Sequence, residues 1–163
     1  MLLLDVDGVL TGGEIIYTDS GEQIKSFNVK DGVGIRMLKK AGIRVGIVTG
    51  RSGGALRHRC DNLGIDLVFD GVRDKTKVLE QIVTTHRVAP EAIAFVGDDL
   101  PDLGIMRQVG LAVAVADAHE IIRKTAHITT TVGGGRGAVR EISEMILKTQ
   151  GKWDDLIKRL FDA

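Results

Sequence analysis

Two aspartates one residue apart, Asp5 and Asp7, follow an apolar run at Leu2 to Leu4 and precede Gly8. Side chains alternate along an extended segment, so the two carboxylates are expected on the same side and close together. Like charges that close persist near neutral pH only if one holds a proton or a cation lies between them. The competing reading is a pair of turn and helix-capping aspartates. Further on, Thr49 ends a second apolar run, Lys75 opens a helical pattern, and Asp98 and Asp99 end a third run with Asp102 one turn later. Jointly these residues supply the parts of a phosphoryl-transfer site. Asp5 would be the nucleophile, forming an aspartyl phosphate. Asp7 would protonate the departing alcohol and then activate water. A hard divalent cation, Mg2+, suits Asp5, Asp98, waters and a backbone carbonyl, and would let an anionic phosphate approach the acids. Thr49 and nearby backbone N–H groups would bind phosphate oxygens, and Lys75 would add a point charge. A helix cap for Thr49 and a solvated surface lysine for Lys75 are the alternatives.

The elements that must deliver these residues are legible as short apolar runs alternating with amphipathic stretches. Leu2 to Leu4, Ile43 to Val48, Leu67 to Phe69, Ile93 to Val96 and Leu111 to Val115 read as five strands. Helices are predicted with Asp31 as cap and Ile35 and Leu38 on the inner face, then over Leu56, Cys60 and Leu63, then from Lys75 through Val83, and from about Pro101 to Gln108. Residues Glu14 to Tyr17 and Gln23 to Phe27 flank Thr18-Asp19-Ser20-Gly21, the pattern of a hairpin. Asn28 to Gly34 reads as a polar loop. This alternation predicts an α/β fold with a mainly parallel sheet and helices on both faces. Ligands of such folds collect outside the carboxyl ends of the strands, where Asp5, Asp7, Thr49, Asp98 and Asp99 all fall. After Gly133-Gly-Gly-Arg-Gly137, which lacks a nucleotide-binding context and reads as a flexible connector, Val139, Ile142, Met145 and Ile146 mark one helix. Trp153, Leu156, Ile157, Leu160 and Phe161 mark another, a packing stripe.

Composition narrows the partners. Among 163 residues, Lys plus Arg and Asp plus Glu number 22 each, so net charge recommends neither nucleic acid nor an anionic membrane. No apolar run has the length of a membrane span and the N-terminus has no signal-like core, so a cytoplasmic protein is expected. A single cysteine, Cys60, reads as packing and agrees with a reducing compartment. His58, His86, His119 and His127 lack metal-ligand spacing. Residues 1–163 are expected to form one domain, with a hairpin flap over about 12–28 and a helical tail over about 138–163.

Asp5-Val-Asp-Gly-Val-Leu10, Thr49, Lys75 and Gly97-Asp-Asp-Leu-Pro-Asp102 resemble the four motifs of the haloacid dehalogenase superfamily. The resemblance implies a Rossmann-like three-layer α/β/α fold, with Asp5 as nucleophile and Mg2+ ligand. It implies Asp7 as acid/base lending a backbone carbonyl to the metal, Asp98 as metal ligand, and Asp99 and Asp102 in support. Receiver domains carry similar parts but place the acid pair early, and the dehalogenase branch needs no metal. The intervals from Asp7 to Thr49 and from Thr49 to Lys75 leave no room for a cap domain.

Phe27-Asn-Val-Lys-Asp-Gly32, Thr49-Gly-Arg51, Val115-Ala-Asp-Ala-His119 and Gly134-Gly-Arg-Gly-Ala-Val-Arg-Glu141 further resemble the 3-deoxy-D-manno-octulosonate 8-phosphate (KDO 8-phosphate) phosphatase family. That resemblance implies Mg2+-dependent hydrolysis of KDO 8-phosphate in lipopolysaccharide precursor synthesis, by homotetramers whose hairpins and neighbouring subunits complete the sites. Implied substrate contacts are Asp7, Asn28, Val29, Lys30, Asp31, Gly32, Arg36, Gly50, Arg51, Arg59 and Lys75, with Arg59 supplied across an interface and Arg136 reaching a neighbour's site. The chain departs from the pattern at Gly12, where many relatives have aspartate, and in opening directly on its first strand, which is therefore expected to be less well covered. Two other functions remain open. A related phosphatase of 2-keto-3-deoxynononate 9-phosphate tends to carry glutamate where Arg51 stands, and a related non-catalytic module serves assembly in fusions with sugar-nucleotide synthetases.

Overall fold

The computed structural model describes residues 1–161, Phe161 by its backbone alone, and places Leu2–Leu4 (β1) in the middle of a six-stranded sheet. The other strands are Val45–Val48 (β4), Leu67–Phe69 (β5), Ala94–Gly97 (β6), Leu111–Ala114 (β7) and Ile128–Thr129 (β8), after a separate antiparallel hairpin of Ile16–Tyr17 (β2) and Gln23–Ile24 (β3). Sheet order is β5-β4-β1-β6-β7-β8, and every pairing within it is parallel. β1 has β4 on one side and β6 on the other, so all three leucines are fully buried and the expectation of a thinly covered first strand does not hold. The chain leaves β1 in opposite directions across the sheet, which opens a crevice at that strand's carboxyl end.

Helices Val29–Lys40 (α1), Gly54–Leu63 (α2) and Ala138–Thr149 (α6) pack together, and α6 meets Trp153–Phe161 (α7). Lys75–His86 (α3), Leu103–Met106 (α4) and Glu120–Thr125 (α5) form a second group. Between them lies an aliphatic core that includes Ile35, Leu38, Ile47, Leu79, Ile82, Phe95 and Ile142. Leu156 of the predicted α7 stripe is buried, whereas the Phe161 side chain lies outside what is described.

Two helix boundaries differ from the sequence-based expectation. α1 begins at Val29 because Asn28 is its cap, accepting from the Lys30 N–H at 2.8 Å, so the supposed loop is helix. Asp31 lies inside the first turn and faces α6, whose own cap position, Gly137, has no side chain. Its Oδ1 accepts from the Arg140 N–H at 2.8 Å and thus caps the neighbouring helix instead. Residues 101 to 108 form a 3₁₀ turn at Leu100–Asp102 followed by the short α4. The glycine-rich segment is no flexible connector: the Gly135 N–H donates to the Val9 carbonyl at 2.9 Å, and a side chain at Gly134 would collide with the Gly8 carbonyl.

Candidate active site

At the carboxyl end of β1 the chain turns at once. The Val6 carbonyl accepts from the N–H groups of Val9, Leu10 and Thr11, and Gly8 takes φ +97°, where a side chain would strike the Asp98 carboxylate. Strand alternation therefore stops before Asp7, and the two aspartates diverge. Asp5 points at the Lys75 ammonium, 2.6 Å away, while Asp7 Oδ1 accepts a hydrogen bond from Lys25 at the base of the hairpin. The expectation that Asp5 and Asp7 crowd each other, so that one holds a proton or a cation lies between them, is corrected accordingly: each faces its own lysine. The crowded acids are Asp5, Asp98 and Asp102, whose ligand atoms all lie within 4.8 Å of one another.

Asp102 is already engaged. Its Oδ1 accepts from Lys75 at 2.5 Å, and its Oδ2 accepts from the Asp98 N–H at 2.9 Å and the Asp99 N–H at 3.4 Å. It thereby fixes the loop after β6 that presents Asp98, a supporting part. Burial, with Asp5, Asp102 and Asp99 nearby, pushes the Asp98 carboxyl up to about 8. Asp5 rises to about 6, again through burial, although Lys75 opposes it. Burial alone would lower the Lys75 ammonium, but Asp5 and Asp102 together raise it. Two desolvated acids held away from their ordinary range, with hard oxygen donors facing each other, fit a divalent cation such as Mg2+.

Thr49 is buried at the end of β4, lines the same crevice, and is not a helix cap, since α2 is capped by Gly53. Lys75 is the first residue of α3, capped by Asp74, which aims the lysine's charge inward instead of into solvent. The crevice, about 190 Å³, is lined by Asp5, Asp7, Thr49, Gly50, Arg51, Arg73, Lys75 and Asp98, among others. That is smaller than the ~300–1,000 Å³ of ordinary ligand pockets, so a phosphoryl group fits and a longer substrate must extend outward. Arg51 stands at the mouth with its guanidinium donating to the Tyr17 hydroxyl at 3.1 Å.

The remaining expected substrate contacts are not brought to this crevice. Asn28 donates to the Gly135 carbonyl at 3.2 Å, Asp31 is buried against α6, and Gly32 is covered by Arg59. Arg36 donates to the Asn62 carbonyl at 2.9 Å, and Arg59 donates to the Asn28 carbonyl at 3.0 Å while lying 5.6 Å from the Phe27 ring. Val29, Lys30 and Arg136 are exposed and line no part of it. Two residues at the site escaped sequence reasoning: Arg73, a loop cation with no periodicity to mark it, and Lys25, which resembles any charged hairpin residue. Cys60 is buried, which pushes its thiol up to about 11 and leaves it inert packing. Among the described residues no helix is long and apolar enough to cross a membrane.

A parallel sheet of this order with acids clustered at its switch point defines the class, and residues 28–110 match the family model of haloacid dehalogenase-like hydrolases. The KDO 8-phosphate phosphatase of Escherichia coli K12 is 45% identical over 155 residues, 95% of this chain and 82% of that enzyme. The Moraxella catarrhalis KDO 8-phosphate phosphatase, solved with magnesium, phosphate and KDO, superposes with a TM-score of 0.95 at 39% identity, over 97% of this chain and 91% of that one. A cobalt-bound phosphatase of the same kind from Haemophilus influenzae gives 0.90 at 41% identity, over 99% and 92%. The chain belongs to the KDO 8-phosphate phosphatase family of haloacid dehalogenase-like hydrolases.

Proposed function

We propose that this protein hydrolyses KDO 8-phosphate to KDO and inorganic phosphate. The observation that carries the reading is a crevice built from Asp5, Asp98 and the Lys75 bridge, in a chain 45% identical to an enzyme of that activity over 95% of its length. Asp5 attacks phosphorus, the bond to the sugar oxygen breaks, and Asp7 gives that oxygen its proton. Water then attacks the aspartyl phosphate, returns a proton to Asp7 and frees Asp5. Lys75 stays bonded to Asp5 and Asp102, holding the nucleophile in one orientation and adding positive charge beside the transferring group. Thr49 and Gly50 line the crevice, where the threonine hydroxyl and backbone N–H groups would receive the phosphoryl oxygens. Mg2+ would be held by the Asp5 and Asp98 carboxylates and the Asp7 carbonyl, and when bound it supplies charge that offsets acids and phosphate together.

Arg51 and Arg73 at the mouth suit the carboxylate of a sugar acid, which a guanidinium binds in bidentate fashion. Asn28, Val29, Lys30, Arg36, Arg59 and Arg136 are read as contacts made between subunits of a homotetramer, while Asp31 and Gly32, buried within one chain, would act only by holding that segment in place. The exposed apolar hairpin supports that assembly. A single cysteine and a sugar-acid phosphate substrate support a cytoplasmic location. The test is phosphate release with Mg2+ from KDO 8-phosphate beside 2-keto-3-deoxynononate 9-phosphate. Faster turnover of the eight-carbon substrate is expected. A preference for the nine-carbon acid would reassign the substrate, and tetramers without turnover of either would leave an assembly role.

A further inference from the structure

Lys25 follows β3 at the base of the hairpin, between the exposed residues Ile24 and Ser26, yet its own side chain is only 2% exposed. A hairpin lysine ordinarily keeps its ammonium in water, because burying an unpaired charge is costly. Here the ammonium reaches inward, and among the described residues its one carboxylate partner is Asp7, through Oδ1. The other oxygen, Asp7 Oδ2, is buried and has no hydrogen-bond partner among the described residues. Asp7 itself lines the crevice. The two oxygens of one carboxylate are thus made unequal by a residue from a separate element.

We propose that Lys25 is the positioning residue for the proton-transferring aspartate: from the base of the hairpin it tethers the Asp7 carboxylate through Oδ1 and so fixes the side chain that gives the departing oxygen its proton. The inference rests on the phosphatase reading. A carboxylate held at one oxygen and packed at the other cannot rotate freely, so the acid is presented to the leaving group in one geometry. The tether also makes the hairpin part of the catalytic apparatus, since displacing β3 would release Asp7. Lys25 touches no reacting atom and acts through Asp7 alone.

Leaving-group dependence tests this. Departure of a sugar alkoxide needs the acid, whereas departure of p-nitrophenolate needs it little, and kcat/KM reports the step in which that bond breaks. Lys25→Met, which keeps the apolar stem, is expected to lower kcat/KM for KDO 8-phosphate by about 100-fold, the low end for a lost general acid. Its kcat/KM for p-nitrophenyl phosphate should stay near the wild-type value. Lys25→Arg should recover part of the lost activity on the sugar phosphate. An equal loss on both substrates, or no loss on either, for Lys25→Met and a second variant Lys25→Gln would overturn the inference. If wild-type protein releases phosphate from neither substrate, the phosphatase reading fails before any variant is compared, and the inference fails with it.

Discussion

An ammonium buried between two carboxylates gives up the hydration of three charges at once, and Lys75 does so with Asp5 at 2.6 Å and Asp102 at 2.5 Å. Removing one partner of such a group leaves uncompensated buried charge. Lys75→Met should therefore destabilise the metal-free protein by about 3–5 kcal/mol, measured by urea unfolding near neutral pH. Asp5→Asn removes the nucleophile while keeping its shape, so phosphate release should fall by about 10³-fold or more. The acids also set a pH dependence whose sign is fixed. Asp5 and Asp98 bind protons more tightly in the folded chain, at about 6 and about 8, because burial disfavours their charged forms. Without metal, stability should thus be greatest below the ordinary carboxylate range and fall as pH rises through those two values. Mg2+ binds the ionised acids of the folded state, so it should restore most of the lost stability at about pH 8 and little at about pH 5. Thermal melts in chelator and in excess Mg2+ across that range check both halves of the statement.

The elements differ in how plainly their sequences declare them. β1, β4, β6 and β7 are buried on both faces, so each is written as a short continuous apolar run that its length and bounding turn residues reveal. β8 is two residues long and α5 six, too short for any pattern, and neither was visible in residues 116 to 132. The polar strand ends were equally plain, because a parallel sheet brings the carboxyl ends of its strands to one edge and Asp5, Thr49, Asp70 and Asp98 directly follow β1, β4, β5 and β6. What stayed hidden depends on tertiary partners. Asp31 looks like a cap for its own helix, but its carboxylate serves α6 across the α1–α6 contact, where Gly137 offers no acceptor. Burial raises the Asp31 carboxyl above its ordinary value. Its ionised form consequently costs the folded state stability as pH rises above the ordinary carboxylate range. Asp31→Asn keeps an oxygen for the Arg140 N–H and carries no charge, so it should gain on wild type as pH rises. Asp31→Ala loses the cap and should cost about 1 kcal/mol where wild-type Asp31 is protonated, a deficit that shrinks as pH rises. Urea unfolding of the three proteins at two pH values separates the contributions of cap and charge.

At the scale of the whole molecule, the hairpin is the part that the chain alone does not account for. Ile15, Ile16, Tyr17 and Ile24 are each 46% to 58% exposed, and β2 and β3 pack chiefly on one another. An isolated two-stranded ribbon is marginal in water, and a cluster of exposed aliphatic and aromatic side chains is the ordinary mark of a surface that another protein covers. Lys25 and Tyr17 tie this ribbon to Asp7 and Arg51, so whatever covers it also steadies two residues of the crevice. The crevice of about 190 Å³ holds the phosphoryl end and leaves the rest of an eight-carbon acid outside. In the homotetramer proposed above, a neighbouring subunit meets that exposed portion. Ile16→Glu combined with Ile24→Glu places two charges on the ribbon without touching the acid cluster. Light scattering should then report smaller species than the wild type, and KM for KDO 8-phosphate should rise by about 10-fold or more, the effect of losing one or two polar contacts. Mg2+ affinity should be unchanged, because the acids that would hold the ion lie within one chain. A variant that becomes monomeric with an unaltered KM would separate assembly from substrate recognition and place the specificity of this phosphatase in Arg51 and Arg73 alone, whereas one that keeps the wild-type size would show that the ribbon is not the assembly surface.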